Sequence, residues 1–165
     1  MTIAPMKTFS ILVVCTDNLC RSPTAEEVIR QTAIKNGLAG RIQVASKATH
    51  DLNAEEPIDY HAQKHAMRRG YDLSNLRVRL VQPEDFEHFD LILVMEENNL
   101  LTLRMRCPPE HQHKLDYFTA YCSTPVEQDV PDPFYGKEDD FERMLDIAED
   151  ASDGLMRHVR AQVRH

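Results

Sequence analysis

The chain has 165 residues, a length that fits one domain spanning residues 1–165, and its 42% hydrophobic and 28% charged content suits a globular protein that buries a core without disulfides. A formal net charge of −8 weighs against a nucleic-acid partner, which needs a basic face, but not against one small anion site set by local charge. No apolar run approaches the roughly 18 residues of a membrane span, and the apolar stretch before Cys15 is too short for a secretory leader, so a cytoplasmic protein with reduced thiols at Cys15, Cys20, Cys107 and Cys122 is expected. The first predicted element is a buried strand over Phe9–Val14 (FSILVV), rich in β-branched residues. Ser22 then opens a helix, with Pro23 at its first position, Glu26 and Glu27 in its first turn and Gly37 beyond its end. A second strand is expected over Ile42–Ser46, a helix over Pro57–Arg69 ended by Gly70, and a buried strand over Leu91–Met95. A helix over Asn98–Arg106, a short strand over Leu115–Phe118 and a Pro-rich loop over 122–137 follow. The last helix starts near Glu138 and carries Phe141, Met144, Leu145, Ala148, Ala151, Leu155 and Val159 on one face.

Strands alternating with helices predict an α/β fold: three αβα layers around a small parallel sheet of about four strands. Ligands bind beyond the carboxyl ends of such strands, and the segment from Cys15 to Arg21 lies at one of them.

That segment reads C-T-D-N-L-C-R-S-P. So short a connection from strand to helix must curl, which turns the N–H groups of Thr16, Asp17, Asn18, Leu19 and Cys20 toward a common centre, an anion nest at a helix N-terminus. Arg21 adds a planar fork that grips two phosphate oxygens. A Cys15 thiol in that field loses its proton readily, and Ser22 is placed to hydrogen-bond the sulfur. Alone, Cys15 would read as a small buried hydrophobe and Ser22 as a helix cap; the combination of strand, C-x5-R-S, Pro and helix carries the functional reading. Cys15, Cys20, Cys107 and Cys122 lack the paired spacing of a structural zinc site, so no metal and no cofactor is expected.

The run VVCTDNLCRSPTAE resembles the signature of low-molecular-weight protein-tyrosine phosphatases, V-C-x-G-N-x-C-R-S-P-x-A-E, and the similarity continues through EDFEHFDLILVMEENNL, DVPDPFYG and the final helix. The resemblance implies hydrolysis of phosphotyrosine, with Cys15 as nucleophile, Arg21 as phosphate clamp and Asp132 of the Pro-Asp-Pro run as general acid and base. From local sequence alone Asp132 reads equally well as a turn residue, with Asp129 its neighbour and rival. The resemblance also implies Phe134, Tyr135 and Leu52 as walls of the substrate cleft, Asn18 and Ser46 as supports of the loop, and Cys20 as a thiol able to trap oxidised Cys15 as a disulfide. Several positions depart from the pattern. Asp17 stands where Gly is usual, its carboxylate directed either toward the phosphate or outward, Leu76 replaces a His that would brace Asn18, and Glu96 replaces an Asp.

Two other readings compete. A thiol-dependent arsenate reductase shares C-x5-R but needs a resolving cysteine about 70 to 80 residues on, and none lies between Cys20 and Cys107. A phosphotyrosine-binding module would need neither Cys15 nor Asp132. The partner expected is a phosphotyrosine-containing protein, a bacterial tyrosine kinase among the candidates, engaged by a monomer or weak dimer.

Overall fold

The computed structural model describes residues 8–50, 54–133 and 138–163. Its centre is a four-stranded parallel sheet in the order β2-β1-β3-β4, with β1 at Phe9–Cys15, β2 at Ile42–Ala48, β3 at Leu91–Val94 and β4 at Leu115–Tyr117. The helices are α1 (Arg21–Lys35), α2 (Tyr60–Arg68), the single turn α3 (Asp85–His88), α4 (Glu97–Arg106) and α5 (Glu138–Val163), with 3₁₀ turns at Pro109–Lys114 and Phe118–Tyr121.

All seven residues of β1 are buried, so it reads as a continuous apolar run, as a strand covered on both faces should. The two-residue alternation of side chains then splits it between two cores. Ile11 and Val13 pack with α1, α2 and α5, against Val28, Ile29, Ala62, Leu145 and Leu155. Leu12 and Val14 pack with Phe86, Ile92, Leu100 and Leu103 on the other face. The expected three layers are thus present. Truncating any of these fully buried aliphatic side chains to Ala would cost about 2–5 kcal/mol.

The boundaries shift for identifiable reasons. β2 runs two residues past the expected end, because Ala48 pairs both with Cys15 and with Leu80. α2 begins at Tyr60 rather than Pro57: Asp59 caps it, its carboxylate accepting from the Ala62 N–H at 3.0 Å, while Pro57 bridges Arg77. α1 starts two residues early, which makes Pro23 its third residue and leaves no acid in its first turn. Glu26 and Glu27 lie deeper, buried, and bind Arg30.

α5 carries all seven predicted core residues buried. Gly154 interrupts it at a cost to helix propensity. The reason is steric: a Cβ there would lie 1.9 Å from the Tyr121 carbonyl oxygen. No helix among the described residues is long and apolar enough to cross a membrane.

β1 lies between β2 and β3, and the chain leaves it toward β2 first and returns on its other side as β3. This reversal of strand order is where a doubly wound sheet opens a crevice at its carboxyl edge. Cys15 ends β1 there, and Glu96 follows β3.

Candidate active site

The chain reverses between β1 and α1 through Asn18, whose φ of 56° is left-handed. Asn visits this region more easily than most residues. The adjacent Asp17, at the usual Gly position, is not left-handed, so its side chain carries no such conformational cost. Asn18 is fully buried and every polar atom of its amide is used. Nδ2 donates to Ser22 Oγ at 2.8 Å and to Ser46 Oγ at 3.0 Å, and Oδ1 accepts from the Arg79 backbone N–H at 3.0 Å. Ser46 in turn donates to Glu26 Oε1 at 2.7 Å. Leu76, standing where a His would brace Asn18, packs against the core, and the Arg79 backbone N–H meets Asn18 Oδ1.

Because Asn18 donates to Ser22 Oγ, the Ser22 hydroxyl proton is free to point at Cys15 Sγ, 2.9 Å away. The loop carbonyls turn outward, those of Cys15, Thr16 and Leu19 accepting from the N–H groups of Thr49, His50 and Asp59. A strand-to-helix turn with its carbonyls outside leaves its N–H groups for an anion inside.

Arg21 is buried, with 4% of its side chain exposed, and its partners orient it. Nη1 donates to the Val130 carbonyl at 2.9 Å and lies 3.3 Å from Glu96 Oε2; Nη2 lies 3.9 Å from Asp132 Oδ2. Burial opposes the guanidinium charge, but Cys15, Glu96 and Asp132 outweigh it and hold the pKa above its ordinary value. Cys20 goes the other way from a reactive thiol. Burial, joined by the charges of Cys15, Asp132 and Asp59, pushes its pKa far up, and its Sγ lies 3.8 Å from Met144 Sδ.

Cys15, Asp17, Leu19, Cys20, Arg21 and Asp132 line one small cup. Asp132 and Asp129 now separate. Asp129 accepts from the Glu97 N–H at 3.1 Å, capping α4, whereas Asp132 faces Arg21. Val130, between them, donates its N–H to the Met95 carbonyl at 2.7 Å, which ties this loop to the end of β3. The predicted Cys15, Thr16, Asp17, Asn18, Leu19, Cys20, Arg21, Ser22, Ser46 and Asp132 are thus brought to one place. Leu52, Phe134 and Tyr135 lie outside the described residues.

Sequence reasoning noticed Glu96 only as a departure from a pattern. In the fold it accepts from Thr16 Oγ1 at 3.0 Å as well as pairing with Arg21, and Asn99 donates to the same Thr16 hydroxyl at 3.1 Å. The available signal was its position just beyond a strand that neighbours β1. Among the described residues no cluster of three or more His, Cys, Asp or Glu is arranged to hold a metal ion.

Comparison with known proteins gives one answer. The family profile described as low molecular weight phosphotyrosine protein phosphatase matches residues 10–165. A human protein named low molecular weight phosphotyrosine protein phosphatase is 35% identical over 143 residues, covering 85% of this chain and 89% of its own. A putative low molecular weight protein-tyrosine-phosphatase from Synechocystis is 33% identical over 147 residues, covering 88% and 93%. The crystal structure of a protein tyrosine phosphatase from Entamoeba histolytica superposes with a TM-score of 0.91 at 32% identity, over 94% of this chain and 99% of its own. With this sheet, this loop and these relatives, the chain belongs to the low molecular weight phosphotyrosine protein phosphatase family, whose members are hydrolases.

Proposed function

We propose that this protein hydrolyses protein phosphotyrosine through a phosphocysteine intermediate, with Cys15 as nucleophile, Arg21 as phosphate clamp and Asp132 as general acid and base. The observation that carries the reading is that Cys15, Arg21 and Asp132 line the same cup, with the Asp132 carboxylate 3.9 Å from the guanidinium. The phosphoryl dianion enters the loop and is gripped by Arg21 and the loop N–H groups. The Cys15 sulfur attacks phosphorus, the bond to the tyrosine oxygen breaks, and Asp132 gives its proton to the leaving phenolate. Water then attacks the phosphocysteine, the Asp132 carboxylate takes a proton from it, and the S–P bond breaks with the electron pair returning to sulfur. The Ser22 hydroxyl, aimed at Sγ at 2.9 Å, steadies the charge on the departing sulfur. Glu96, with Val130, fixes the plane of Arg21, so that the clamp needs no reorganisation when phosphate arrives.

The cysteines support this reading over thiol-dependent arsenate reduction. Cys107 packs in the core on the α4 face of the sheet, while Cys15 belongs to the opposite core, and Cys122 lies against the Ile147 carbonyl on α5. Phosphotyrosine proteins, bacterial tyrosine kinases among them, are the substrates this chemistry fits, and the cytoplasm is where such substrates and reduced thiols coexist.

Hydrolysis of p-nitrophenyl phosphate tests the assignment. Turnover is expected in the wild type, lost in Cys15→Ser and reduced in Asp132→Asn. Turnover that survives Cys15→Ser would overturn the mechanism.

A further inference from the structure

Asp17 lines the cup beside Cys15, Arg21 and Asp132, and it is half-buried. Its carboxylate makes no hydrogen bond or ion pair with any described residue. Among the described residues that line the cup the only cation is Arg21, and Arg21 is already shared by Glu96 and Asp132. A phosphoryl dianion bound there therefore meets one guanidinium and, at the mouth, the unneutralised charge of Asp17. The protein supplies no second cation among these residues to relieve that repulsion. A substrate supplies one if a Lys or Arg flanks its phosphotyrosine.

The geometry points to Asp17 as a specificity-determining residue that selects phosphotyrosine segments with a basic residue next to the phosphotyrosine and rejects those flanked by Glu or Asp. The inference rests on the phosphotyrosine reading proposed above and names the substrate class within it. A basic flank pairs with Asp17 while the phosphate occupies the cup, and an acidic flank adds a further negative charge to the same few ångströms. A unit charge at this range, at a partly solvated mouth, changes relative affinity by roughly tenfold. The preference weakens as salt rises, because the mouth is open to solvent.

The test uses three phosphotyrosine peptides that differ only in having Lys, Ala or Glu on both sides of the phosphotyrosine. Their kcat/KM values are measured with wild type and Asp17→Asn, and their Kd values by fluorescence anisotropy with Cys15→Ser and Cys15→Ser/Asp17→Asn. The wild type is expected to favour Lys over Glu flanks by roughly tenfold or more at low salt, and Asp17→Asn to bring that ratio close to one, chiefly through the Glu-flanked peptide. Asp72→Asn, an exposed carboxylate hydrogen-bonded to Ser74 away from the cup, should leave the ratio unchanged. A ratio that survives Asp17→Asn, or a wild type that prefers Glu flanks, overturns the inference. So does an Asp17→Asn variant that accelerates all three peptides equally, since Asp17 would then be a brake and not a selector. If the wild type fails to hydrolyse p-nitrophenyl phosphate, the mechanism is wrong, yet the anisotropy ratios still decide the role of Asp17 in binding.

Discussion

Cys15 and Asp132 reach one cup on two segments that are built differently. The Cys15 loop is buried at Cys15, Asn18, Cys20 and Arg21 and cross-braced by side chains: Asn18 reaches Ser22, Ser46 and the Arg79 backbone at once. The segment carrying Asp132 is held mainly by backbone and helix-cap contacts on either side of Val130, and the Asp132 side chain is 41% exposed. A nucleophile and its clamp gain from being fixed before the substrate arrives. An acid that must give a proton in one step and take one in the next gains from access to water. The two constructions suit those two tasks.

Breaking each segment should therefore give different signatures. The largest effect is on the buried side: Cys15→Ser should lower kcat for p-nitrophenyl phosphate by about 10⁴-fold or more while binding of a phosphotyrosine peptide persists. Asp132→Asn should lower kcat by roughly 10²- to 10⁴-fold, and the loss should be smaller for substrates whose leaving group is a better one than phenolate, which needs less help from an acid. Asn18→Ala removes three hydrogen bonds and places Ala in a left-handed turn; a loss of about 2–4 kcal/mol in denaturant unfolding is expected, together with lower activity. Asp129→Ala removes only the cap of α4, so thermal unfolding should show a loss of about 0.5–2 kcal/mol with kcat nearly unchanged. A kcat loss as large as that of Asp132→Asn would reverse the assignment of the two acids.

The smallest expected effect concerns pH. Asp150 accepts from Ser123 and Thr124 at the root of the Pro-rich segment, and the bonds from Ser123 lead in drawing its pKa down to about 2, against partial burial. A carboxyl with a lowered folded-state pKa stabilises the fold above its unfolded value of 3.8, and that contribution is lost as pH falls toward 2. The difference in Tm between wild type and Asp150→Ala should be present at neutral pH and shrink between about pH 4 and pH 2; a constant difference would show that the contact acts through packing.

The parts of this fold that sequence made legible are those with local causes. The β1 run, the C-x5-R-S turn and the apolar face of α5 each carry their own periodicity or spacing, and the structure has them. What was not legible depends on distant partners. The Arg79 backbone N–H that braces Asn18 is one such partner, and backbone donors leave no trace in residue identity. The division of labour between Asp129 and Asp132 follows from where α4 begins and where Arg21 points. Glu96 was visible only as a substitution, because its meaning comes from the adjacency of β1 and β3. For Asp17 the sequence left the direction of the carboxylate open, and the fold adds that the residue lines the cup.

Gly154 couples α5 to the segment that carries the acid. Tyr121, whose carbonyl fills the space a side chain at 154 would need, is followed directly by the segment that carries Asp132. Gly154→Ala would raise the intrinsic helicity of α5 and yet push the Phe118–Tyr121 turn outward, moving the anchorage of the acid with it. A change that any helix-propensity scale would score as an improvement is thereby predicted to act as a remote lesion in proton transfer.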